Sequence, residues 1–459
     1  MIRYFVKTYL KLNIMGNKEL KYLRDQINQL DNKMLDLINQ RSNIVEDIGK
    51  LKDISKGVID ESREHNILTR LTSLSKGQYS KDTIIRIWRE LFEASSKLQV
   101  NSDSSILTKR SIDLINSYQG GGSKIKGLEN VIKLSSNENP FGPTKKILEI
   151  SNEKLNLNRY PEVNGITLRS EIAKFHKLKS NQIVLGCGSD ETLLFAALSF
   201  CQPGDEIIHA EHGFEMYPII TKVVGAVSKL AKENNYKVNV ESICDQLTDA
   251  TKLIYLANPN NPTGSYLSKS ELRELMSIIP KHVIVVIDCA YAEYVEEDDY
   301  DKDFSLVDEF DNIIITRTFS KVYGLAGIRL GWCYSSYQVS SILNKVKGPF
   351  NTNSIAQQMA IKALQDQDHV KMVLEENKKN KDWFENQLIR MKFSFIHSHT
   401  NFVFIELTES MAEKISSKLL DNGIIIRQLN SYHLPHCLRI SIGTMEDMKK
   451  IVSILENIK

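Results

Sequence analysis

Cysteine is scarce and scattered in this chain of 459 residues. Cys187, Cys201, Cys244, Cys289, Cys333 and Cys437 stand far apart, form no C-x-x-C pair, and leave the first 186 residues without a thiol. That spacing excludes a disulfide framework or a zinc knuckle and fits a reducing, cytoplasmic compartment. Long apolar runs are missing too: none approaches the about eighteen residues that a membrane helix needs. Nor does charge of one sign prevail. With 59 Lys+Arg against 57 Asp+Glu the net charge is +2, which argues against a basic nucleic-acid face and against a disordered tail. From Lys18 to Val100 there is no proline, and glycine occurs only at Gly49, Gly57 and Gly77. What is present is an ordinary soluble composition, 42% apolar and 25% charged. At roughly 150 residues per domain, the length predicts two to four domains.

Residues 1–14 mix Lys and Arg with short apolar stretches but lack the apolar core and cleavage site of a signal peptide. Met15-Gly16 follows at once, so a start codon placed too early explains the segment at least as well, and residues 1–16 are assigned no function. From Lys18 onward Leu20, Leu23, Ile27, Leu30, Met34, Leu35 and Ile38 recur at steps of three and four, the period of one long helix with an apolar stripe. Breaks at Ser55–Gly57 and Lys76–Gln78 predict a second helix from about Glu61 to Leu74 and a third from about Ser80 to Gln99. Residues 17–100 therefore read as an all-α bundle, and the polar run Asn101–Ser105 as a linker over 101–106.

Beyond it the texture changes. Short β-branched runs, Ile183–Leu185, Glu206–Ile208, Lys252–Leu256, Val283–Ile287 and Asn312–Ile315, alternate with helix-length segments, which predicts a mainly parallel, buried sheet. The fold class expected is multidomain: the bundle, then an α/β domain over 107–459. Within the latter, a large part at about 145–335 is joined by a small α+β part built from 107–144 and 336–459.

In the bundle, Arg41 and Lys52 lie about three helical turns apart and project from one face. Spaced cations beside an apolar stripe suit a small polyanion held between helices. The pattern Leu23-Arg24, Ile27, Leu30-Asp31, Arg41, Ile48-Gly49, Lys52, Asp60, Arg63-Glu64, Ser95 and Gln99 resembles the all-helical class of chorismate mutases. The resemblance implies two intertwined chains, with Arg24 reaching into the partner's site. Conversion of chorismate to prephenate is pericyclic, so catalysis must come from holding the compact conformer and stabilising charge on the ether oxygen. Arg24, Arg41 and Arg63 would grip the two carboxylates. Lys52 and Gln99 would flank the ether oxygen, and Glu64 would take the ring hydroxyl with support from Asp60 and Ser95. Because Gln99 is a donor at any pH, activity is expected to persist under mildly alkaline conditions.

Four segments carry chemistry in the larger block. Asn258–Gly264 follows one strand, Asp288-Cys289-Ala290-Tyr291 another, and Ser320-Lys321 through Arg329 a third, while Gly186-Cys187-Gly188-Ser189-Asp190 opens a helix. Each is weak singly; in this order they resemble the fold-type I aminotransferases that use pyridoxal 5′-phosphate, and within them the histidinol-phosphate aminotransferase group. Ser136–Pro143, Arg159-Tyr160-Pro161-Glu162 and Cys437–Thr444 extend the likeness. The resemblance implies a covalent cofactor lysine and proton shuttle in Lys321, a pyridinium partner in Asp288, and bonds to the ring oxygen from Asn261 and Tyr291. Phe214 would stack on the ring. Gly188, Ser189, Asp190, Ser320 and Arg329 would hold the phosphate, with Tyr160 reaching that of a neighbouring subunit, so this likeness also implies a homodimer.

Arg439 is expected to pin the substrate carboxylate, helped by Asn139, and Arg427 to serve the distal end. The loop between them departs from the family pattern, with His433 where a glycine is usual. The reading is a bifunctional cytoplasmic enzyme, chorismate mutase plus aminotransferase, without a metal. Its substrates are chorismate, an aromatic 2-oxo acid (prephenate, phenylpyruvate or 4-hydroxyphenylpyruvate) and an amino donor, usually glutamate in this family. The alternatives are a histidinol-phosphate aminotransferase fused to the same mutase, a pyridoxal-phosphate decarboxylase, and a helical block that only binds an effector.

Overall fold

The computed structural model describes residues 2–51, 61–99 and 109–458, apart from 117, 119, 123, 126, 127, 129, 149 and 151–157. Side chains of residues 2–17 and of a few helical positions, Gln99 among them, are likewise outside the description. The chain divides into two compact units, Met1–Arg110 and Ser111–Lys459.

Helices α1 (Ile2–Leu51), α2 (Glu61–Leu74) and α3 (Lys81–Gln99) make up the first unit. Helix α1 begins at Ile2 rather than near Lys18, because the stretch before Lys18 holds no proline and its one glycine, Gly16, costs only about 1 kcal/mol, too little to stop a helix. Helix α3 packs against both α1 and α2, burying Val45 and Phe92. Much of the apolar stripe of α1, including Leu23, Ile27, Leu30 and Met34, stays exposed. The expected linker, 101–106, lies outside the described residues.

Among the described residues the second unit holds fourteen strands. In chain order they are β1 (Ile132–Leu134), β2 (Ile183–Gly186), β3 (Glu206–Ala210), β4 (Val227–Ala231), the small hairpin β5 (Glu233–Asn234) and β6 (Lys237–Val238), β7 (Thr251–Ala257), β8 (Ile284–Asp288), β9 (Ile313–Thr318), β10 (Gly331–Ser335), β11 (Ser394–Ile396), β12 (Phe402–Glu406), β13 (Ile424–Leu429) and β14 (Leu434–Ser441). Seven form one sheet in the order β2-β10-β9-β8-β7-β3-β4, with β10 antiparallel to both neighbours and the other pairs parallel. Strands β2, β8 and β9 are buried along their whole length, so helices cover both faces and the sequence runs are apolar without alternation.

A second sheet, β1-β13-β14-β12-β11, packs against the helices Gln367–Arg390, Glu409–Asp421 and Met445–Glu456 around its own core of Phe384, Leu388, Leu419, Leu438 and Ile451. The helix Ser354–Leu364, expected with this smaller part, instead puts Ala356, Ala360 and Ala363 into the core of the seven-stranded sheet. Its small alanine face lets it lie close against the helix Ile166–His176 on the large sheet.

Candidate active site

Parallel strands place their carboxyl ends on one edge of the sheet, and there the four motifs converge. Asp288 ends β8, the Asn258–Gly264 loop leaves β7, Ser320 and Lys321 follow β9, and Gly188 follows β2. Asp288, Asn261, Ser320, Lys321 and Ser189, the residue after Gly188, line a cavity of about 310 Å³ together with Arg427 and Arg439 from the second sheet.

At its base Asp288 is buried, accepting hydrogen bonds from Thr316 Oγ1 at 2.9 Å and from the Tyr217 hydroxyl at 3.1 Å. Burial lifts its carboxyl to about 6, while the bond from Thr316 works against that rise. A cation seated beside Asp288 would be strongly stabilised there. Lys321 Nζ donates to the Ser136 carbonyl at 3.3 Å and lies over the Tyr291 ring. Burial, and then the nearby Arg439 guanidinium, lower the ammonium to about 8, so about a tenth of it is neutral, nucleophilic amine at pH 7, far more than for an ordinary lysine. Tyr291 accepts from Asn137 Nδ2 at 2.8 Å, and burial pushes its phenol up to about 12. Phe214 lines the cavity and meets Tyr217 edge to face, with ring centres 5.7 Å apart.

The opposite wall is an anion cradle. Gly188, at φ 82°, precedes the helix Ser189–Phe200, whose first N–H groups have no side-chain cap at the Gly188 position. A Cβ on Gly188 would fall 2.4 Å from Arg329 Nη2, so only glycine lets that guanidinium close on the helix end. Arg329 also donates to Ser320 Oγ at 3.3 Å and lies 3.4 Å from Asp190. Pyridoxal 5′-phosphate fits this donor set: an amine beside an aromatic wall, a buried acid for a ring cation, and a helix end with Arg329 for a phosphate.

Toward the second sheet, Arg439 is buried with Nη2 on the Ser135 carbonyl at 2.9 Å and Nη1 on Asn261 Oδ1, while its Nε has no partner. Arg427 pairs with Glu215 at 2.8 Å, and His433 adopts the left-handed conformation, φ 60°, that a glycine favours.

Two expected residues lie elsewhere. Asn139 does not line the cavity, because its amide is committed to the Val322 carbonyl and the Phe141 N–H, both at 2.9 Å; Asn137 lines it instead. Tyr160 stands apart from the cavity, 80% exposed and stacked on Phe350. Residues that sequence reasoning missed are Tyr118, Glu215, Asn137 and Tyr432. Only Tyr118, just before the glycine run Gly120–Gly122, carried a signal: a Cβ on Gly121 would come 2.6 Å from Ser135 Oγ, so the glycines let this segment approach the site.

In the helical unit Arg41 Nη1 donates to Ser95 Oγ at 2.5 Å and to the Leu91 carbonyl at 3.4 Å. Ser95 is buried, Glu64 half-buried, and Arg24 and Arg63 are exposed. Lys52, Asp60 and the side chain of Gln99 lie outside the described residues.

Fold and site together define a pyridoxal-phosphate-dependent transferase of fold type I. The family model for aminotransferases of class I and II matches residues 129–455, and that for chorismate mutase type II matches residues 23–100. The chain belongs to the class I and II aminotransferases and carries a type II chorismate mutase domain ahead of them; it is an enzyme with isomerase and transferase units, and its cofactor is pyridoxal 5′-phosphate. Among curated proteins, the histidinol-phosphate aminotransferase of Roseobacter denitrificans is 40% identical over 74% of this chain and 95% of its own length. Histidinol-phosphate aminotransferase 2 of Haemophilus influenzae is 37% identical over 77% and 98%. Among solved structures, the Sinorhizobium meliloti histidinol-phosphate aminotransferase with pyridoxal 5′-phosphate shares the fold at a TM-score of 0.71 and 24% identity, covering 78% of this chain and all of that one. The Clostridium acetobutylicum histidinol-phosphate aminotransferase gives 0.66 at 25% identity, over 72% of this chain and 99% of that one. Among the described residues no helix is long and apolar enough to cross a membrane.

Proposed function

We propose that the helical unit converts chorismate to prephenate and that the α/β unit transaminates an aromatic 2-oxo acid, namely prephenate, phenylpyruvate or 4-hydroxyphenylpyruvate, in Phe and Tyr biosynthesis in the cytoplasm. The observation that carries this reading is the presence of both family matches on one chain, since an aminotransferase tethered to a prephenate-forming domain is best accounted for by a substrate of the same route. The distal pocket supports it. Arg427 is already neutralised by Glu215, and Tyr118, Phe214 and Tyr432 supply aromatic lining, which suits a flat ring better than a phosphate dianion.

The proposed residue roles rest on the family resemblance, and the site's geometry supports those of the α/β unit. Arg439, with Nε unpartnered, would pin the substrate carboxylate. Lys321 would hold the cofactor and carry the proton removed from the substrate Cα. When bound, pyridoxal 5′-phosphate supplies an electron sink for that deprotonation. Asp288 would stabilise its ring cation, Asn261 and Tyr291 would meet its ring oxygen, Phe214 would cover its face, and Gly188, Ser189, Asp190, Ser320 and Arg329 would seat its phosphate. In the helical unit Arg41, set by Ser95, would grip a chorismate carboxylate, with Lys52, Asp60, Arg63, Glu64 and Gln99 completing the site and Arg24 reaching into that of a partner subunit.

Two observations support a homodimer. Arg24 lies roughly 25 Å from Arg41 along α1 at 1.5 Å per residue, too far to share one chain's site, and the stripe of α1 is exposed. In the second unit, Tyr160, which the resemblance assigns to a neighbouring subunit's phosphate, is exposed and does not line its own chain's cavity.

A second reading, histidinol-phosphate transamination, is favoured by the names of the relatives at 37–40% identity. Single-turnover spectroscopy separates the two. Enzyme converted to its amino form with glutamate is expected to regain its visible band faster with an aromatic 2-oxo acid than with imidazole acetol phosphate; the reverse order would favour the second reading.

A further inference from the structure

Away from the cavity, three metal-ligating side chains meet where the two sheets' parts join. Glu297, His397 and His399 each bring one ligand atom within 4.8 Å of the others. The two histidines alternate about Ser398 in the connection from β11 to β12, and Glu297 lies beyond the turn after β8 that holds Tyr291. We propose that Glu297, His397 and His399 bind one divalent transition-metal ion of the zinc class, clamping the smaller sheet's loop to the segment after β8.

The donor set is that of a zinc site with an open position, two imidazoles and a carboxylate. Its support is built as well. His397 Nδ1 donates to Glu385 Oε2 at 2.8 Å, and Glu385, buried, also accepts the Ser398 N–H at 3.1 Å. A carboxylate on Nδ1 fixes the ring and leaves Nε2 for a metal. His399 Nδ1 faces Glu297 Oε2 at 2.9 Å, its ring is held edge-on by Tyr266, and its N–H donates to the Gly264 carbonyl at 3.1 Å. Glu297 and Glu385 carry negative charge into the cluster. Lys381, the buried cation beside it, has its ammonium on the Ser398 carbonyl at 2.6 Å. A bound ion would stiffen both segments that lead to the cofactor pocket, through Gly264 to Asn261 and through Glu297 to Tyr291.

The test uses full-length holoenzyme, stripped with chelator and desalted, then titrated with zinc against a chromophoric chelator and, separately, with cobalt. Expected are one zinc per chain, cobalt ligand-field bands that signal imidazole ligation, and a rise in Tm of about 4 °C at a zinc concentration 100-fold above Kd. His399→Ala and the more exposed His397→Ala should keep the cofactor absorbance but lose the equivalent and the bands, and Glu385→Gln should weaken binding by about tenfold. No saturable zinc, or the same stoichiometry and cobalt spectrum in His397→Ala, His399→Ala and Glu297→Gln as in the parent, would overturn the site.

Discussion

Arg439 Nη1 donates to the side-chain oxygen of Asn261, so the guanidinium assigned to the substrate carboxylate and the amide assigned to the cofactor ring form one hydrogen-bonded unit. Substrate and cofactor contacts are therefore coupled through a pair brought together from β14 and the loop after β7.

Asn261→Ala is expected to weaken both. Losing a buried hydrogen bond to a charged group corresponds to about tenfold or more in affinity. Cofactor retention on dilution and KM for glutamate should worsen together; an effect on cofactor alone would show that the pair is not a unit.

Arg439→Lys should lower kcat/KM by about 100-fold for the amino donor and the oxo acid alike, because a lysine cannot reproduce a planar fork. The absorbance of bound cofactor should be nearly unchanged, and steady-state kinetics on both half-reactions read the difference.

Lys321 also sets a pH dependence. With its ammonium lowered to about 8, the neutral amine rises about tenfold per pH unit below that value and saturates above it. Capture of pyridoxal 5′-phosphate by apoenzyme should follow that curve in stopped-flow absorbance, levelling near pH 8 rather than near the ordinary lysine value.

The two chemistries should be separable. Arg41→Ala is expected to cut chorismate consumption by 100-fold or more, estimated from loss of a charge-stabilising contact, while transamination stays intact. Lys321→Ala should do the opposite. Loss of both activities in either variant would contradict two independent sites.

Much of this was legible in the sequence because its signals are local. Asp288, Lys321 and Gly188 stand at the ends of apolar runs, and a parallel sheet brings such ends to one edge. The bundle's helices show in a period free of proline. What was not legible depends on long-range contacts. Glu215 meets Arg427 from a distant part of the chain, and nothing beside either residue announces the pair. Asn139 and Asn137 lie in one motif, and only the fold shows that the first turns to Val322 while the second faces Tyr291. The helix Ser354–Leu364 reads as part of the smaller domain by position, yet its alanine face packs on the large core.

Glu215→Gln would remove the carboxylate that pairs with Arg427 at 2.8 Å. Relative kcat/KM for histidinol phosphate over an aromatic substrate should then rise by about tenfold, measured in the direction of histidinol-phosphate consumption. No change would mean that Arg427 does not face the distal end.

The central claim is tested most directly by kcat/KM on purified holoenzyme with glutamate, comparing prephenate, phenylpyruvate and 4-hydroxyphenylpyruvate with histidinol phosphate in the reverse direction. An aromatic acid is expected to lead by tenfold or more, about 1.4 kcal/mol of transition-state preference. A lead of that size for histidinol phosphate would contradict the assignment and make the chain a fusion of two separate biosynthetic routes.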